Sequence, residues 1–365
     1  MRIGISTRGL YQGSFAVSTI INQLTQVIID MASDDHEIYL YLNNPDYESI
    51  FVNSVHKRSI KINNRFIWDH VWLPRELRKD QIDIALFMKG TMPLRLSCRG
   101  AVIYHDLGYF DSELRPYKKF ETIYMRSMMR RTSEKATVVF TDSVYTKQEV
   151  ERIFHTNPKK IAVCYQDCGS HFKYIDDQKV LDSVRSKLNL PRKFMFFPTS
   201  VSPRKNLERV LDAFNRIMDI IPHHLVITGG QSWRSRHLLK RIDTEFDGKV
   251  HVLGNLVDGD MPALYSLANF TIYPSLLEGF GQPILEAFRC RCPVLTSNIT
   301  AMPEIAGDAA YLVDPYDTEQ ISAGMLRLAK DRALQQDLII KGVKRAKYFS
   351  WEKTAGIIIP RLESA

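Results

Sequence analysis

Short, largely apolar, β-rich runs recur along the chain, separated by longer stretches with helical spacing. In the first half the runs are RIGIS (2 to 6), HEIYLYL (36 to 42), SIKIN (59 to 63), IDIALFM (82 to 88), AVIYHDL (101 to 107), ATVVFTDS (136 to 143) and KIAVCYQD (160 to 167). Runs apolar on both faces and separated by helices predict a parallel sheet covered on both sides. SFAVSTIINQLTQVIIDMA (14 to 32) carries the first helical period. Residues 169 to 190 are polar, and the alternation then restarts with KFMFFPTS, HHLVITGG, KVHVLG, ANFTIYPS, CPVLTSN and AAYLVDP. Helical patterns lie between these at about 206 to 220, 232 to 245, 259 to 267, 282 to 290 and 318 to 347. The pattern predicts an α/β protein of two doubly wound parallel-sheet domains, 1–170 and 171–345, followed by a C-terminal helical segment, 346–365. Ligands of open parallel sheets sit at strand carboxyl ends, so the expected site is an interdomain cleft.

A length of 365 residues suits two domains, and 45% hydrophobic with 25% charged residues suits a globular protein. No run approaches the roughly 18 apolar residues of a membrane span. MRIGISTRGL opens as a strand with no secretion signal, so a cytoplasmic location is expected. The five cysteines, Cys98, Cys164, Cys168, Cys290 and Cys292, lack zinc-ribbon spacing and read as reduced thiols, and no metal is expected. The net charge of +8 suits phosphates on a small molecule or an anionic lipid surface. No nucleic-acid-binding module accompanies it, so no nucleic-acid partner is expected.

Four stretches could carry chemistry. In SLLEGFGQPILEAF (275 to 288), Glu278 and Glu286 flank Gly279, Phe280 and Gly281. The glycines permit unusual backbone angles, Pro283 suits a first helical turn, and a helix N-terminus there favours a diphosphate. Carboxylates on either side could accept hydrogen bonds from two polyols; a plain helix start with a solvent-facing glutamate is the alternative. In FPTSVSPRKN (197 to 206), Arg204 and Lys205 could neutralise a diphosphate leaving group, or be a solvated surface pair, while Asn206 could cap the next helix. His105 and Asp106 end a strand, as an acid/base pair, as sugar ligands or as a structural cap. Gly13, in RGLYQGSF, lies where a phosphate loop usually falls, without GxGxxG or Walker A spacing.

SPRKNLERVLDAF, VITGG, YPSLLEGFGQPILEAFRCRCPVLTSNITAMPEIAGDAAYLVDP and FSWEKTA, in that order, resemble glycosyltransferase family four. The resemblance covers essentially all of the second half. In the first, NRFIWDHVWLPREL and AVIYHDLGYF are similar to segments of bacterial polysaccharide mannosyltransferases. It implies the GT-B fold of two Rossmann-like domains, and a C-terminal helix that crosses back to the first. It also implies a retaining, metal-independent transfer of a hexose, leaning to mannose from GDP-mannose, to a glycan or lipid-linked glycan. By the same resemblance Glu278 contacts the donor sugar, and the backbone of Gly279, Phe280 and Gly281 meets sugar and phosphate. Glu286 binds the ribose, Arg204 and Lys205 hold the diphosphate, and His105 lies by the transferred sugar. The chain departs from the family at Arg291, where glycine is common, at Thr199, where some members have arginine, and in GSFAVSTIINQL, where a glycine pair is common. A two-domain sugar-nucleotide epimerase and a non-catalytic sugar-nucleotide-binding protein are the alternative functions. Finally, residues 113 to 135 carry seven Lys/Arg against three Glu, with Tyr117, Phe120, Tyr124, Met125 and Met128 at helical spacing. The stretch reads as a helix peripheral to an anionic membrane, or as a sheet-covering helix with a solvated basic face.

Overall fold

The computed structural model describes every residue except 11–15, 52–54, 115–116, 231–235 and 257, so Gly13 lies outside the described residues. The chain divides into two compact units. One comprises Met1–Asp167 with Phe349–Ala365, the other Cys168–Tyr348.

The first unit is built on strands β1 (Arg2–Ser6), β2 (Glu37–Leu42), β3 (His56–Ser59), β4 (Ile84–Phe87), β5 (Arg99–Tyr104), β6 (Val138–Thr141) and β7 (Ile161–Val163). They form one parallel sheet in the order β3-β2-β1-β4-β5-β6-β7. The second unit is built on β8 (Phe194–Pro198), β9 (His224–Thr228), β10 (Val250–Val252), β11 (Phe270–Tyr273), β12 (Val294–Ser297) and β13 (Tyr311–Val313). Its sheet is also parallel, in the order β10-β9-β8-β11-β12-β13. Strands such as β4, β6 and β8 are buried at every position, as a sheet covered on both faces requires. In each unit the strand order reverses at one place, β1/β4 in the first and β8/β11 in the second. Loops diverge to opposite sides there and leave a crevice at the strand carboxyl ends.

Three expectations are corrected. The strand placed at 59 to 63 is His56–Ser59, because its partner β2 ends at Leu42, opposite Ser59. The helix placed at 206 to 220 ends at Asn215. The helical stretch 318 to 347 is two helices, Thr318–Lys330 and Arg332–Ala346. Asp331 separates them at φ −101°, ψ 92°, and its side chain accepts the Leu334 N–H as the second helix's N-cap.

The final helix, Trp351–Glu363, packs on Ala16–Met31 within the first unit. Its Trp351 Nε1 donates to Gln23 at 2.6 Å, and Thr354 donates to the Tyr165 carbonyl.

Because Asp331 both stops one helix and starts the next, Asp331→Ala is expected to cost about 1 kcal/mol. Denaturant unfolding should show that loss, with Asp331→Asn, which keeps the capping oxygen, close to the parent.

Candidate active site

The loops after β8 and β11 form one structure. Beyond β8 the chain makes a helical turn, Pro203–Lys205, and then places Asn206 in the left-handed region at φ 65°. Asn206 does not cap the following helix, Leu207–Asn215, with its side chain as the sequence suggests. Its Nδ2 instead donates to the carbonyls of Pro274 (3.1 Å) and Pro315 (2.7 Å). The loop after β8 is thereby pinned to the loops after β11 and β13. The Leu276 N–H donates to the Arg204 carbonyl at 2.8 Å and closes the same junction. Behind it Gly229, at φ 100°, leaves no room for a side chain: a Cβ would lie 2.5 Å from the Ser200 nitrogen.

Glu278 sits at this junction, buried. Its Oε2 accepts from Arg204 Nη1 at 2.7 Å and its Oε1 from Lys205 Nζ at 2.6 Å. Lys205 is itself buried and also donates to the Tyr273 hydroxyl at 2.8 Å, while Arg204 Nη1 reaches the Leu277 carbonyl at 3.2 Å. Burial alone would raise the Glu278 pKa; the two adjacent cations overcome that and hold it at about 2. Glu278 is therefore an ionised carboxylate throughout the physiological range, with each oxygen already engaged by a cation. Such a group is a poor acid, a poor base and a poor nucleophile, and a good positioner of the cations it holds.

After Glu278 the chain enters the helix Gln282–Arg289. Gly281 stands at its N-cap with φ 101°, where a Cβ would also press on Met302 Sδ at 3.0 Å. Gly279 is not among the described residues with positive φ, so only the second glycine is required by backbone geometry. Glu286, half-buried, accepts from the Tyr265 hydroxyl at 2.7 Å. Burial, and then the Glu286 charge, raise the Tyr265 pKa, so the phenol stays protonated as a donor. Arg291 takes φ 55° just past this helix, a left-handed angle that favours glycine; its guanidinium lies 4.8 Å from the Tyr174 ring centre. Thr199 is buried in the loop after β8. All five cysteines are free thiols, and the described residues hold no group of three or more His, Cys, Asp or Glu that could bind a metal ion.

His105 belongs to the first unit, at the end of β5. Its Nδ1 lies 2.7 Å from Asp142 Oδ2 and its Nε2 2.7 Å from the Met88 carbonyl. Both partners are acceptors, so both nitrogens carry protons. Burial pulls the His105 pKa down, but the charge and hydrogen bond of Asp142, with the Met88 carbonyl, leave it raised. Gln166 donates to the same Asp142 oxygen. Asp142 and Gln166 escaped the sequence reading, although TDS at the end of ATVVFTDS repeats the strand-end polar signal of HDL. Tyr265 and Tyr273 gave no signal, since each reads as one more apolar position of its element.

Residues 181–345 match the family described as glycosyl transferases group 1. The O-antigen chain mannosyltransferase B of Escherichia coli is 30% identical over 265 residues, 72% of this chain and 69% of that one. The chain belongs to glycosyltransferase family four. The serotype-specific mannosyltransferase WbdA of Escherichia coli is 28% identical over 66% of this chain, which spans only 30% of that longer protein. The sucrose-phosphate synthase of Thermosynechococcus elongatus shares the fold, with a TM-score of 0.77 at 17% identity, over 100% of this chain and 99% of that one. This family-four chain is thus a glycosyltransferase with the GT-B fold, its two sheets having seven and six strands.

An ionised Glu278 stabilises the folded chain above its ordinary pKa of 4.5, and that contribution is lost as pH falls from 4.5 to about 2. The gap is worth roughly 3 kcal/mol at about 1.4 kcal/mol per pH unit. Glu278→Gln is expected to lower stability by that amount at pH 7, with the difference shrinking toward zero near pH 2. Denaturant unfolding at several pH values checks this; a difference that stays constant from pH 7 to pH 3 would mean that Glu278 is not held as an ion pair.

Proposed function

We propose that this glycosyltransferase moves mannose, with retention of configuration, from GDP-mannose to a hydroxyl of a glycan or lipid-linked glycan in the assembly of a surface polysaccharide. The observation that carries the reading is the Arg204–Glu278–Lys205 cluster, with Glu278 and Lys205 buried, at the point where the second unit's strand order reverses. The relatives named as an O-antigen chain mannosyltransferase and a serotype-specific mannosyltransferase support the sugar and the setting.

Two cations on one carboxylate leave one positive charge in excess, on groups already fixed in place. As the bond between sugar C1 and phosphate oxygen breaks, its electron pair passes to the diphosphate, and Arg204 and Lys205 stabilise the growing charge. The acceptor oxygen bonds to C1 on the face the diphosphate is leaving. Its proton passes to the departing phosphate oxygen, which suits a site whose carboxylate, with a pKa of about 2, is too weak a base to take it. Glu278 orients the sugar and the cations, Glu286 accepts from ribose hydroxyls, and no metal takes part. His105, held by Asp142 and Met88 in the first unit, is a fixed positive group and not a proton shuttle.

The helix Lys119–Lys135 divides its apolar residues between two faces. Met125, Met128 and Met129 are buried, while Phe120 is 88% exposed and Ile123 58% exposed. Arg65 lies 5.2 Å from the Tyr124 ring centre, linking this helix to a neighbouring segment that exposes Phe66, Ile67 and Val71. Exposed apolar groups beside Lys118, Lys119 and Arg130 suit peripheral contact with an anionic membrane, where a lipid-linked acceptor would lie. No helix among the described residues is long and apolar enough to cross a membrane.

Lys205→Met is expected to lower kcat at least about 100-fold, the several kcal/mol of a lost charge stabiliser. Turnover near the parent value would remove Lys205 from the phosphate role, and a β-mannoside from the α-linked donor, seen by NMR, would contradict retention. Phe120→Asp should release the chain from vesicles containing anionic lipid; equal sedimentation of parent and variant would show that this face does not touch the membrane.

A further inference from the structure

In the first unit the reversal of strand order falls between β1 and β4. Arg8 stands two residues past the end of β1, and Lys89 two residues past the end of β4. Arg65, in the helical turn Arg65–Ile67, completes a group of three cations. Arg8 Nε lies 2.8 Å from Asp69 Oδ1 and Arg65 Nε 3.4 Å from Asp69 Oδ2. Both guanidiniums also reach the buried Thr91 hydroxyl, at 3.5 and 3.2 Å. Two like charges thus share one carboxylate and one hydroxyl. The stem of Lys89 crosses Gly9, whose φ is 115° and where a Cβ would lie 2.9 Å from Lys89 Cδ.

Among the described residues the charges of this network do not balance. Lys89, half-buried, makes no hydrogen bond or ion pair with a described residue. Burial, then Arg8 and Arg65, lower its pKa to about 8, against the single opposing pull of Asp106. Asp106 already accepts the Gly108 N–H at 2.9 Å. His70 senses the same field: burial lowers its pKa first, and Arg65, Arg8 and Arg131 lower it further against Asp69. Three cations against Asp69 and Asp106 leave a net positive charge at the crevice where a doubly wound sheet takes its ligand.

We propose that Arg8, Arg65 and Lys89 bind a phosphate or diphosphate group, and that this group is the anionic part of the acceptor. Assignment of the phosphate to the acceptor rests on the transferase reading above; the phosphate site itself does not. The paired guanidiniums offer forked donors to the oxygens, and Lys89 supplies a compact third charge.

The amine of Lys89 reports on the site directly. The intact chain is treated with an acetylating reagent at pH 7.5, and Lys89 modification is followed by peptide mass spectrometry. Millimolar inorganic pyrophosphate is expected to slow it at least fivefold, acetate at equal ionic strength to leave it unchanged, and Arg65→Gln to abolish the protection. Unchanged modification with pyrophosphate, or equal protection by acetate, overturns the phosphate site. In a transfer assay, Lys89→Gln is expected to raise KM about tenfold for a diphosphate-linked acceptor, while KM for the donor and for a phosphate-free acceptor shifts less than twofold. Protection by pyrophosphate with an unchanged acceptor KM overturns the acceptor assignment alone.

Discussion

The second unit depends on one buried interaction, the carboxylate of Glu278 held between Arg204 and Lys205. Charges taken out of water are costly unless paired, and stripping one partner from such a cluster typically costs about 3 to 5 kcal/mol. Here the arrangement is asymmetric, with two cations and one anion. Beyond Glu278, the Tyr273 hydroxyl accepts from Lys205 and the Leu277 carbonyl from Arg204, which helps the cluster tolerate the surplus charge. Glu278 is thus a counter-ion that keeps the buried Lys205 and the half-buried Arg204 ordered and close together. Their hydrogen bonds are made before any substrate arrives, so little reorganisation is left for the chemical step.

The backbone around the cluster is as constrained as the charges. Asn206 accepts a left-handed conformation that its residue type tolerates, and its amide ties three loops. Gly229 and Gly281 stand where a Cβ would meet backbone or a methionine sulfur. These positions set the loops of adjacent parallel strands at a fixed spacing, and Glu278 then bridges loop to loop.

Much of this was legible in the sequence, for a physical reason. Strands buried on both faces must be apolar throughout, so the segments behind the described strands other than β3 stood out, and the strand ends pointed to Arg204, Lys205, Glu278, Glu286 and His105. The signals that failed were those set by distant partners. SIKIN alternates as a strand should, but a strand ends where its neighbour ends. Asn206 has the chemistry of a cap, and only the carbonyls 68 and 109 residues away show its other use. Asp331 sits inside a helical period, and periodicity does not register one residue that ends a helix and begins another. At His105 the sequence left acid/base, sugar-binding and structural roles open; the pairing with Asp142 and Met88 favours a fixed cation. Lys89 drew no notice as one lysine after a strand, because its surroundings come from β1 and from a helical turn elsewhere in the chain.

The central claim is that the Arg204–Glu278–Lys205 cluster holds the diphosphate of a nucleotide sugar. Thermal unfolding of the intact chain with added ligands tests it most directly, because a ligand bound to the native state at about 100 times its Kd adds about 2.7 kcal/mol of stability. GDP-mannose and GDP should both raise the melting temperature by several degrees, while guanosine, which lacks the diphosphate, should not. Guanosine shifting the transition as far as GDP, or GDP and GDP-mannose leaving it unmoved at millimolar concentration, would contradict the account.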